Sequence, residues 1–301
     1  MKGAPAFIVL ATALVACKSG GETTTAKTAE DAHSLAGASE AWCPDGFESG
    51  ANDSCFAIPE KSTKDTPILA YLHGMYQGHG SPEEWSTVRA AVQKGYAVVL
   101  LRGKRGLCPW KAEFKDYYCW PQDPEDTDAM KGVIADWDKA LWQVDALMDQ
   151  GSHKRYFLAF SNGGFFASYV ATHAMFPAQA WAIVDGGSIA PTPAAPTSPA
   201  PAKGKASPSP SPSPPSTSPI LLVEAKDDAE QAPKTKELHE ALTKSSWPHA
   251  YCPQPGGKTL TAADVDQALS FFKRDQAGAL KPQGTSYSCE EQAEPRPKSK
   301  K

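Results

Sequence analysis

Residues 155–167 read RYFLAFSNGGFFA, and this stretch decides how the chain folds. The apolar run from Tyr156 to Phe160 has the length and composition of a buried strand. A tight turn of small residues follows around Ser161, and apolar residues then continue at helical spacing. A sharp strand–turn–helix connection lifts the turn residue above the sheet, at the N-terminus of the helix. The sequence therefore predicts that the Ser161 hydroxyl is exposed where a strand ends and a helix begins.

Apolar runs of strand length alternate with helical stretches on both sides of this segment. The strand-like runs are Ile68–Leu72, Tyr96–Leu101, Tyr156–Phe160, Trp181–Val184, Ile220–Val223 and His249–Cys252. The stretches with helical spacing are Pro82–Lys94, Thr127–Asp149, Gly164–Ala174, Pro233–Lys244 and Ala262–Asp275. This alternation predicts an α/β fold, with a mainly parallel sheet covered by helices on both faces.

The prolines are concentrated in one segment. Eleven of the 27 lie between Pro191 and Pro219. Proline lacks an amide hydrogen and clashes with the preceding turn, so this segment is predicted to be an extended, solvated loop. It looks like a linker between two domains, but the runs on either side have the pattern of buried strands of one sheet. We therefore interpret residues 191–219 as an insertion within one domain of residues 42–290, which a charged tail follows over residues 291–301.

Length and charge exclude one class of partner. The chain has 301 residues, 41% of them hydrophobic, so it can bury a sizeable core. The formal net charge is −4, and acidic and basic residues are mixed along the sequence. Recognition of nucleic acid usually needs a basic stripe or clustered Lys and Arg. We therefore expect no nucleic-acid partner, and we expect a monomer.

The N-terminus has the pattern of an export signal. Residues 1–17 read MKGAPAFIVLATALVAC, in which one lysine precedes an apolar stretch too short to span a bilayer. The end of this stretch, Leu-Val-Ala-Cys17, resembles the lipobox of bacterial lipoproteins, where cleavage precedes a cysteine that carries lipid. The resemblance implies a signal peptide of residues 1–16, a membrane anchor through lipid on Cys17, and a location on the outer or periplasmic surface of a bacterial cell envelope. An ordinary secretory signal with an incidental cysteine is the alternative.

Residues 17–41 and the remaining cysteines fit an exported protein. The segment is small and polar and has no hydrophobic periodicity, as in a flexible tether. Six cysteines remain beside Cys17, and an oxidising compartment favours disulfides. Nearness in sequence favours the pairs Cys43–Cys55, Cys108–Cys119 and Cys252–Cys289. A cysteine-rich metal site is the alternative, but no C-x-x-C spacing supports it, so we expect neither a metal nor another cofactor.

The turn at residues 161–164, Ser-Asn-Gly-Gly, resembles the nucleophile elbow of the α/β-hydrolase superfamily. It is most similar to the elbow of secreted hydrolases of the feruloyl-esterase and polyhydroxybutyrate-depolymerase type. The family pattern is G-x-S-x-G, and here Ala159 replaces the first glycine, a small change that the turn accommodates. The resemblance covers most of residues 60–276. It implies an α/β-hydrolase fold with Ser161 as the nucleophile that attacks a small-molecule or polymeric carboxylic ester.

Two other segments resemble the same family. Residues 67–75, PILAYLHGM, are similar to the third strand and the His-Gly segment after it. The resemblance implies that a backbone N–H of Gly74 or Met75 pairs with the N–H of Asn162 to bind the oxyanion of the tetrahedral intermediate. Residues 220–228, ILLVEAKDD, are similar to the strand and turn that present the triad acid. Asp228 aligns better than Asp227, and a solvated turn pair is the alternative.

The triad histidine is missing from its expected place. Family members carry it in a Gly-Gly-His or Gly-His turn after the last strand, whereas this chain has Gly256-Gly257-Lys258 there. A lysine beside an acid such as Asp228 stays charged, which makes it a poor general base near neutral pH. Apart from His73 in the His-Gly segment, only His79 follows a strand on the side where such sites lie, and a solvent-exposed bystander is its alternative. The base is therefore unassigned, with Lys258 and His79 as candidate positions.

The loop after Tyr96–Leu101 is basic and aromatic. Arg102, Lys104 and Arg105 precede Cys108, with further aromatic residues beyond it. The loop has two possible roles: gripping a carboxylated or aromatic substrate, or packing a disulfide-stapled loop. Its composition favours packing.

Two functions are compatible with the whole pattern. The first is an exported, lipid-anchored serine esterase that uses Ser161 and Asp228. The second is a pseudo-hydrolase, a surface lipoprotein that keeps the fold and pocket for binding but has lost turnover because of Lys258. The proline-rich insertion stands where related hydrolases carry a cap, and it cannot fold compactly. We therefore expect an open site suited to bulky or polymeric substrates.

Overall fold

The computed structural model describes residues 42–78, 80–108, 111–148, 153–193, 217–277 and 286–289. Several sequence predictions fall on other residues and lie outside the described part of the chain. These are the signal peptide with Cys17, the tether, His79, most of the proline-rich segment and the charged tail.

The described residues contain short strands at the periphery and longer strands and helices in the centre. The strands are β1 (Glu48–Ser49), β2 (Cys55–Ala57), β3 (Ile68–Leu72), β4 (Ala97–Leu101), β5 (Lys104–Arg105), β6 (Tyr118–Cys119), β7 (Arg155–Phe160), β8 (Ala180–Val184), β9 (Ile220–Ala225), β10 (His249–Gln254) and β11 (Ser286–Ser288). The α-helices are α1 (Pro82–Gln93), α2 (Thr127–Leu147), α3 (Asn162–Thr172), α4 (Ala232–Lys244) and α5 (Ala262–Gln276). A short 3-10 helix spans Ala112–Phe114.

Nine of these strands form one sheet in the order β1-β2-β4-β3-β7-β8-β9-β10-β11. The pairs from β4 to β11 are parallel, and the pairs β1 with β2 and β2 with β4 are antiparallel. Strands β8 and β9, which flank the proline-rich segment, are direct neighbours, with Trp181 opposite Ile220. The predicted α/β fold with a mainly parallel sheet is confirmed.

Helices cover both faces of the sheet because alternate strand residues point to opposite faces. In β3, Ile68, Ala70 and Leu72 pack in the core beneath α2, α3 and α4. Leu69 and Tyr71 of the same strand pack in the core beneath α1 and α5. Within the described ranges, no helix is both long and apolar enough to cross a membrane.

Helix starts follow local chemistry. The Asp126 side chain accepts the N–H of Ala129 at 3.0 Å and thereby caps α2. Thr261 and Asp264 form a reciprocal capping box at the start of α5. Helix α3 begins at Asn162, two residues before the predicted start at Gly164. The glycines favour a turn by their intrinsic propensity, but close packing of the helix on the sheet outweighs that preference here.

The six cysteines in the described residues are paired as predicted. The disulfides are Cys43–Cys55, Cys108–Cys119 and Cys252–Cys289. The first lies at the N-terminal edge of the sheet, the second in the loop after β4 and the third at the C-terminal edge. These are peripheral parts of the fold, where short strands bury too little apolar surface to be stable alone.

Arg102 in the basic, aromatic loop has a packing role. Its guanidinium lies 4.9 Å from the ring centroid of Trp42 and 3.7 Å from that of Tyr118. It pairs with the Asp53 carboxylate at 3.0 Å and donates to the Tyr76 hydroxyl at 3.1 Å. Only 5% of the side chain is exposed, so this arginine is not available to grip a substrate.

Candidate active site

Ser161 stands in a strained turn between β7 and α3. Its φ of 49° and ψ of −117° lie outside the regions that residues with side chains favour. Strain of this kind costs on the order of 1–3 kcal/mol and persists only where the surroundings enforce it. The Ser161 N–H donates to the Val184 carbonyl at 2.9 Å, and its carbonyl accepts the Phe165 N–H at 3.1 Å. The turn is therefore tied on both sides, as a nucleophile elbow requires.

Two glycines allow α3 to lie against the sheet behind this turn. A Cβ on Gly163 would lie 2.6 Å from the carbonyl oxygen of Leu72 in β3. A Cβ on Gly164 would lie 2.9 Å from the Cα of Gly186, just beyond β8. Both distances are far shorter than the usual contact between a carbon atom and its neighbours. The helix N-terminus can approach the strand ends only because both residues lack side chains.

Trp120 connects the elbow to the end of β3. Its backbone N–H donates to the side-chain oxygen of Asn162 at 2.8 Å, and its indole N–H donates to the His73 carbonyl at 2.8 Å. The Gln122 side chain donates to the Asn162 carbonyl at 3.3 Å. The Asn162 side chain is therefore structural. Its backbone N–H belongs to the first turn of α3, where amides have no partner within the helix.

The N–H of Gly74 donates to a carboxylate, so it is not free to bind the oxyanion as predicted. The Gly74 N–H donates to Glu84 Oε2 at 3.1 Å, and the Tyr71 hydroxyl donates to the same oxygen. Burial raises the pKa of Glu84. Met75, the next residue, is half-buried and lines the space beside Ser161. Gly74 and Met75 were both predicted to bind the oxyanion. The Glu84 carboxylate occupies the N–H of Gly74 but not the N–H of Met75.

His73 is a buried structural residue. The Gly103 N–H donates to its Nε2 at 2.8 Å, so Nδ1 carries the proton and donates to the Gly74 carbonyl. Burial lowers the pKa of His73 from 6.5 to about 3 and keeps the ring neutral. Its two bonds hold the segment after β3 against the loop after β4.

Asp228, rather than Asp227, faces the site. Asp228 is buried, and its Oδ1 accepts the N–H groups of Glu230 and Gln231 at 2.9 and 3.0 Å. Its Oδ2 is buried and has no hydrogen-bond partner among the described residues. Asp227 is exposed and accepts the Gly256 N–H at 3.0 Å. The geometry agrees with the better alignment of Asp228, whose role as the acid stays a prediction.

Lys258 follows β10, as predicted, but its first partner is Glu230. Its Nζ donates to Glu230 Oε2 at 2.7 Å, and 67% of its side chain is exposed. The hydrogen bond and the charge of Glu230 raise the pKa of Lys258, with a smaller contribution from Asp228. The lysine is therefore a protonated surface group, which disfavours the role of general base, and its assignment stays a prediction. Glu230, and not Asp228 as the sequence predicts, is the main partner of Lys258.

Two cavities meet at Ser161. One has a volume of about 280 Å³ and is lined by Gln122, Asn162, Phe165 and Lys234. The other has about 270 Å³ and is lined by Gly74, Glu84, Asp185, Asp228 and Lys258. Both include Met75, Ser161, Glu230 and Gln231. Within the described ranges, no group of three or more His, Cys, Asp and Glu side chains is arranged to hold a metal ion.

Solved structures of hydrolases share this architecture. A carboxylesterase from Mesorhizobium loti gives a TM-score of 0.50 at 14% identity, covering 77% of this chain and 97% of that one. The chain has the α/β-hydrolase fold. A Bacillus cereus carboxylesterase gives a TM-score of 0.49 at 14% identity, with coverage of 74% and 94%. No protein-family model matches the sequence, and no curated protein matches it.

The α/β-hydrolase fold of this chain lacks a described histidine at the site. Neither cavity next to Ser161 includes a histidine among its lining residues. His153 bonds to the carbonyls of Thr66 and Met148, and His173 bonds to its own helix. The remaining candidate, His79, lies outside the described residues, so its role stays a prediction.

Sequence reasoning missed Asp185 in this α/β-hydrolase fold. The residue follows β8 directly, is only 1% exposed and lines the same cavity as Ser161. Burial raises its pKa from 3.8 to about 7, with repulsion from neighbouring acids adding to the effect. One signal in the sequence could have identified Asp185. It is an acidic residue that comes directly after the apolar run Trp181–Val184, and that run forms the strand next to the one that ends just before Ser161.

Proposed function

We propose that this protein is an exported, lipid-anchored serine hydrolase that cleaves carboxylic esters. One observation carries the proposal: Ser161 is held in a strained turn at the N-terminus of α3, where two cavities meet. The α/β-hydrolase fold supports many chemistries, so the argument rests on this site and not on the fold.

The chemistry follows from the arrangement around Ser161. Its Oγ attacks the ester carbonyl, an acyl-enzyme forms, and water then hydrolyses it. The backbone amides of Met75 and Asn162 stabilise the oxyanion of each tetrahedral intermediate. The positive end of the α3 dipole lies at the same point and favours the same negative charge. Asp228 takes the position of the triad carboxylate.

The two cavities suit the two halves of an ester. The cavity with Phe165 and Lys234 accommodates one half, and the cavity with Asp185 and Asp228 accommodates the other. Both open to solvent at Ser161, which is half-buried. This openness supports substrates that are bulky or polymeric as well as small.

A direct assay tests the enzymatic function. Full-length protein in detergent is incubated with p-nitrophenyl esters of several acyl lengths and with a fluorophosphonate probe. We expect turnover and covalent labelling, and we expect Ser161→Ala to abolish both. Absence of turnover and of labelling in the wild-type protein would refute the hydrolase. Labelling without turnover would indicate a reactive serine that lacks a competent base.

The location is tested separately. We propose cleavage after residue 16 and lipid attachment to Cys17, at the surface of a bacterial cell envelope. Cys17→Ser should move the protein from the membrane fraction to the soluble fraction and abolish incorporation of labelled palmitate. Membrane association that survives this substitution would favour an ordinary secretory signal and another means of attachment.

The second candidate function is binding without turnover. The observation that favours it is the ion pair between Lys258 and Glu230, where a catalytic histidine would be expected. Lys258→His separates the candidates. A silent wild-type protein that gains esterase activity from this substitution is a pseudo-hydrolase. An active wild-type protein that gains little already contains its base.

A further inference from the structure

Asp185 occupies the position next to Ser161 along the edge of the sheet. Phe160 lies opposite Val184 in the parallel pair of β7 and β8, so Ser161 and Asp185 are the first residues beyond two neighbouring strands. The Ser161 N–H donates to the carbonyl of Val184, the residue before Asp185, at 2.9 Å. Ser161 and Asp185 line the same cavity of about 270 Å³. The strand order therefore brings a carboxylate and the serine to one place.

The carboxylate of Asp185 is only partly satisfied by the fold. Its Oδ1 accepts the Ala225 N–H at 2.7 Å, while its Oδ2 is buried and has no hydrogen-bond partner among the described residues. Its φ of 49° adds backbone strain. A buried charged oxygen without a partner costs free energy, and folding alone does not require it. Strained residues and perturbed acids are concentrated at functional sites.

The titratable groups that line the cavity of Asp185 or act on its pKa are mostly acidic. They are Glu84 on α1, Glu224 on β9, Asp228 and Glu230 after β9, Lys258 after β10, and Asp264 on α5. Lys258 is already bonded to Glu230. Burial first, and then repulsion from Asp264, Asp228 and Glu224, raises the pKa of Asp185 to about 7, against the opposing bond from Ala225. A base with a pKa near the working pH accepts protons efficiently.

We propose that Asp185 is the general base of this site and takes the proton from Ser161. The proposal rests on the ester hydrolysis proposed above. It assigns the base that neither Lys258 nor any described histidine supplies at the cavity. It also gives the buried, unpartnered Oδ2 a proton to bind.

In this proposal Asp185 accepts and returns one proton in each half-reaction. The Ser161 O–H bond breaks, its proton passes to Asp185 Oδ2, and Oγ bonds to the ester carbonyl carbon. The bond from that carbon to the alcohol oxygen then breaks, and the alcohol leaves with the proton from Asp185. In the second half, water gives a proton to Asp185 while its oxygen bonds to the acyl carbon, and the proton returns to Oγ as the acid leaves. One ester and one water become one acid and one alcohol.

The test is the pH dependence of kcat/KM for p-nitrophenyl acetate, with full-length protein in detergent. The variants are Asp185→Asn, Asp185→Glu and the control Asp145→Asn. An asparagine keeps the Oδ1 that accepts the Ala225 N–H, so Asp185→Asn retains the structural contact but not the base. Asp145 is a matched control because it also has a buried oxygen without a partner among the described residues, but it pairs with Arg155 away from the site.

The wild-type rate should rise with pH around a midpoint near the pKa of Asp185, about 7. Asp185→Asn should lower kcat/KM at least about 100-fold and remove this rise, as expected for loss of a general base. Asp185→Glu should keep part of the rate with a displaced midpoint. Asp145→Asn should keep the wild-type rate and midpoint. Thermal unfolding of each variant verifies that it is folded.

Several results would overturn the assignment. One is an Asp185→Asn protein with the wild-type rate and midpoint, and another is a rise that disappears in His79→Ala instead. If Asp185→Asn does not fold, an unshifted midpoint in Asp185→Glu overturns it as well. Turnover that needs Ser161 but not Asp185 refutes this inference alone. Absence of both turnover and fluorophosphonate labelling in the wild-type protein refutes the proposed function and this inference together.

Discussion

The two ends of the parallel sheet treat buried acids differently. At the end where the strands begin, Asp145 is joined to Arg155 by an ion pair of 2.5 Å. At the end where the strands finish, Asp185 and Asp228 accept only backbone N–H groups, and each has a buried oxygen without a partner among the described residues. Asp145 also has one such oxygen, but a cation compensates its charge.

A pair of histidines also lies at the end where the strands begin. His249, at the start of β10, bonds to the Trp247 carbonyl at 2.7 Å and to His239 at 2.9 Å. His239 stacks on Tyr251, with ring centroids 4.1 Å apart. At this end of the sheet these histidines pair with neighbouring groups of the fold. At the other end Asp185 and Asp228 each keep one buried oxygen without a partner among the described residues, beside a cavity, and this difference points to a ligand there.

The largest expected effect is at the elbow. Gly163→Ala would put a Cβ within 2.6 and 2.7 Å of the carbonyl oxygens of Leu72 and His73. We expect a loss of about 3 kcal/mol in the free energy of unfolding, measured with urea, because backbone must move. Fluorophosphonate labelling should be lost as well. The matched control is Gly132→Ala in α2, where a Cβ meets nothing within 4 Å. It should gain about 0.5–1 kcal/mol from helix propensity, and equal stabilities would contradict the packing argument.

A smaller effect is expected when Asp185 is replaced by a neutral residue. The pKa of Asp185 is raised to about 7 in the folded protein, so the folded state holds a proton that the unfolded state releases at lower pH. The contribution of Asp185 to stability is therefore present below pH 3.8 and is lost as pH rises from there through about 7. Asp185→Asn should be the more stable protein at alkaline pH, and the difference should shrink in acid. A thermal unfolding series across pH measures this, and a difference of the opposite sign would place a compensating cation at Asp185.

The histidine pair at the other end should respond to pH in the opposite sense. Burial lowers the pKa values of His239 and His249 below their ordinary value of 6.5, which favours the neutral form of both rings in the folded protein. Their contribution to stability is present above pH 6.5 and is lost as pH falls below it. His239→Gln removes one of the two titrating groups and should lower the acid slope of the unfolding free energy by about half. An unchanged slope would show that the pair does not titrate on unfolding.

The smallest effect is expected at Lys258. Its ion pair with Glu230 is exposed on both sides, and exposed pairs contribute little to stability. Lys258→Ala should leave the unfolding midpoint and the labelling of Ser161 unchanged. A midpoint lower by several degrees would mean that the ion pair with Glu230 holds the loop after β10 in place.

Much of this architecture was predictable from local patterns. Apolar runs of strand length identified β3, β4, β7, β8, β9 and β10, and helical spacing identified the five helices to within a few residues. The same holds for the serine turn and the three disulfides, because each depends on residues close in sequence. The short strands β1, β2, β5, β6 and β11 were not predicted, since two or three residues carry no periodic signal.

The sequence by itself determined the α/β fold and the strand–turn–helix around Ser161, and it predicted that Lys258 stands where a histidine is expected. Tertiary structure alone decided the partners: Glu84 on the Gly74 amide, Trp120 between Asn162 and His73, and Glu230 on Lys258. It also brought Asp185 beside Ser161. The physical reason is that strand order joins residues far apart in the chain. Burial at that junction, which no local pattern encodes, then sets their charge.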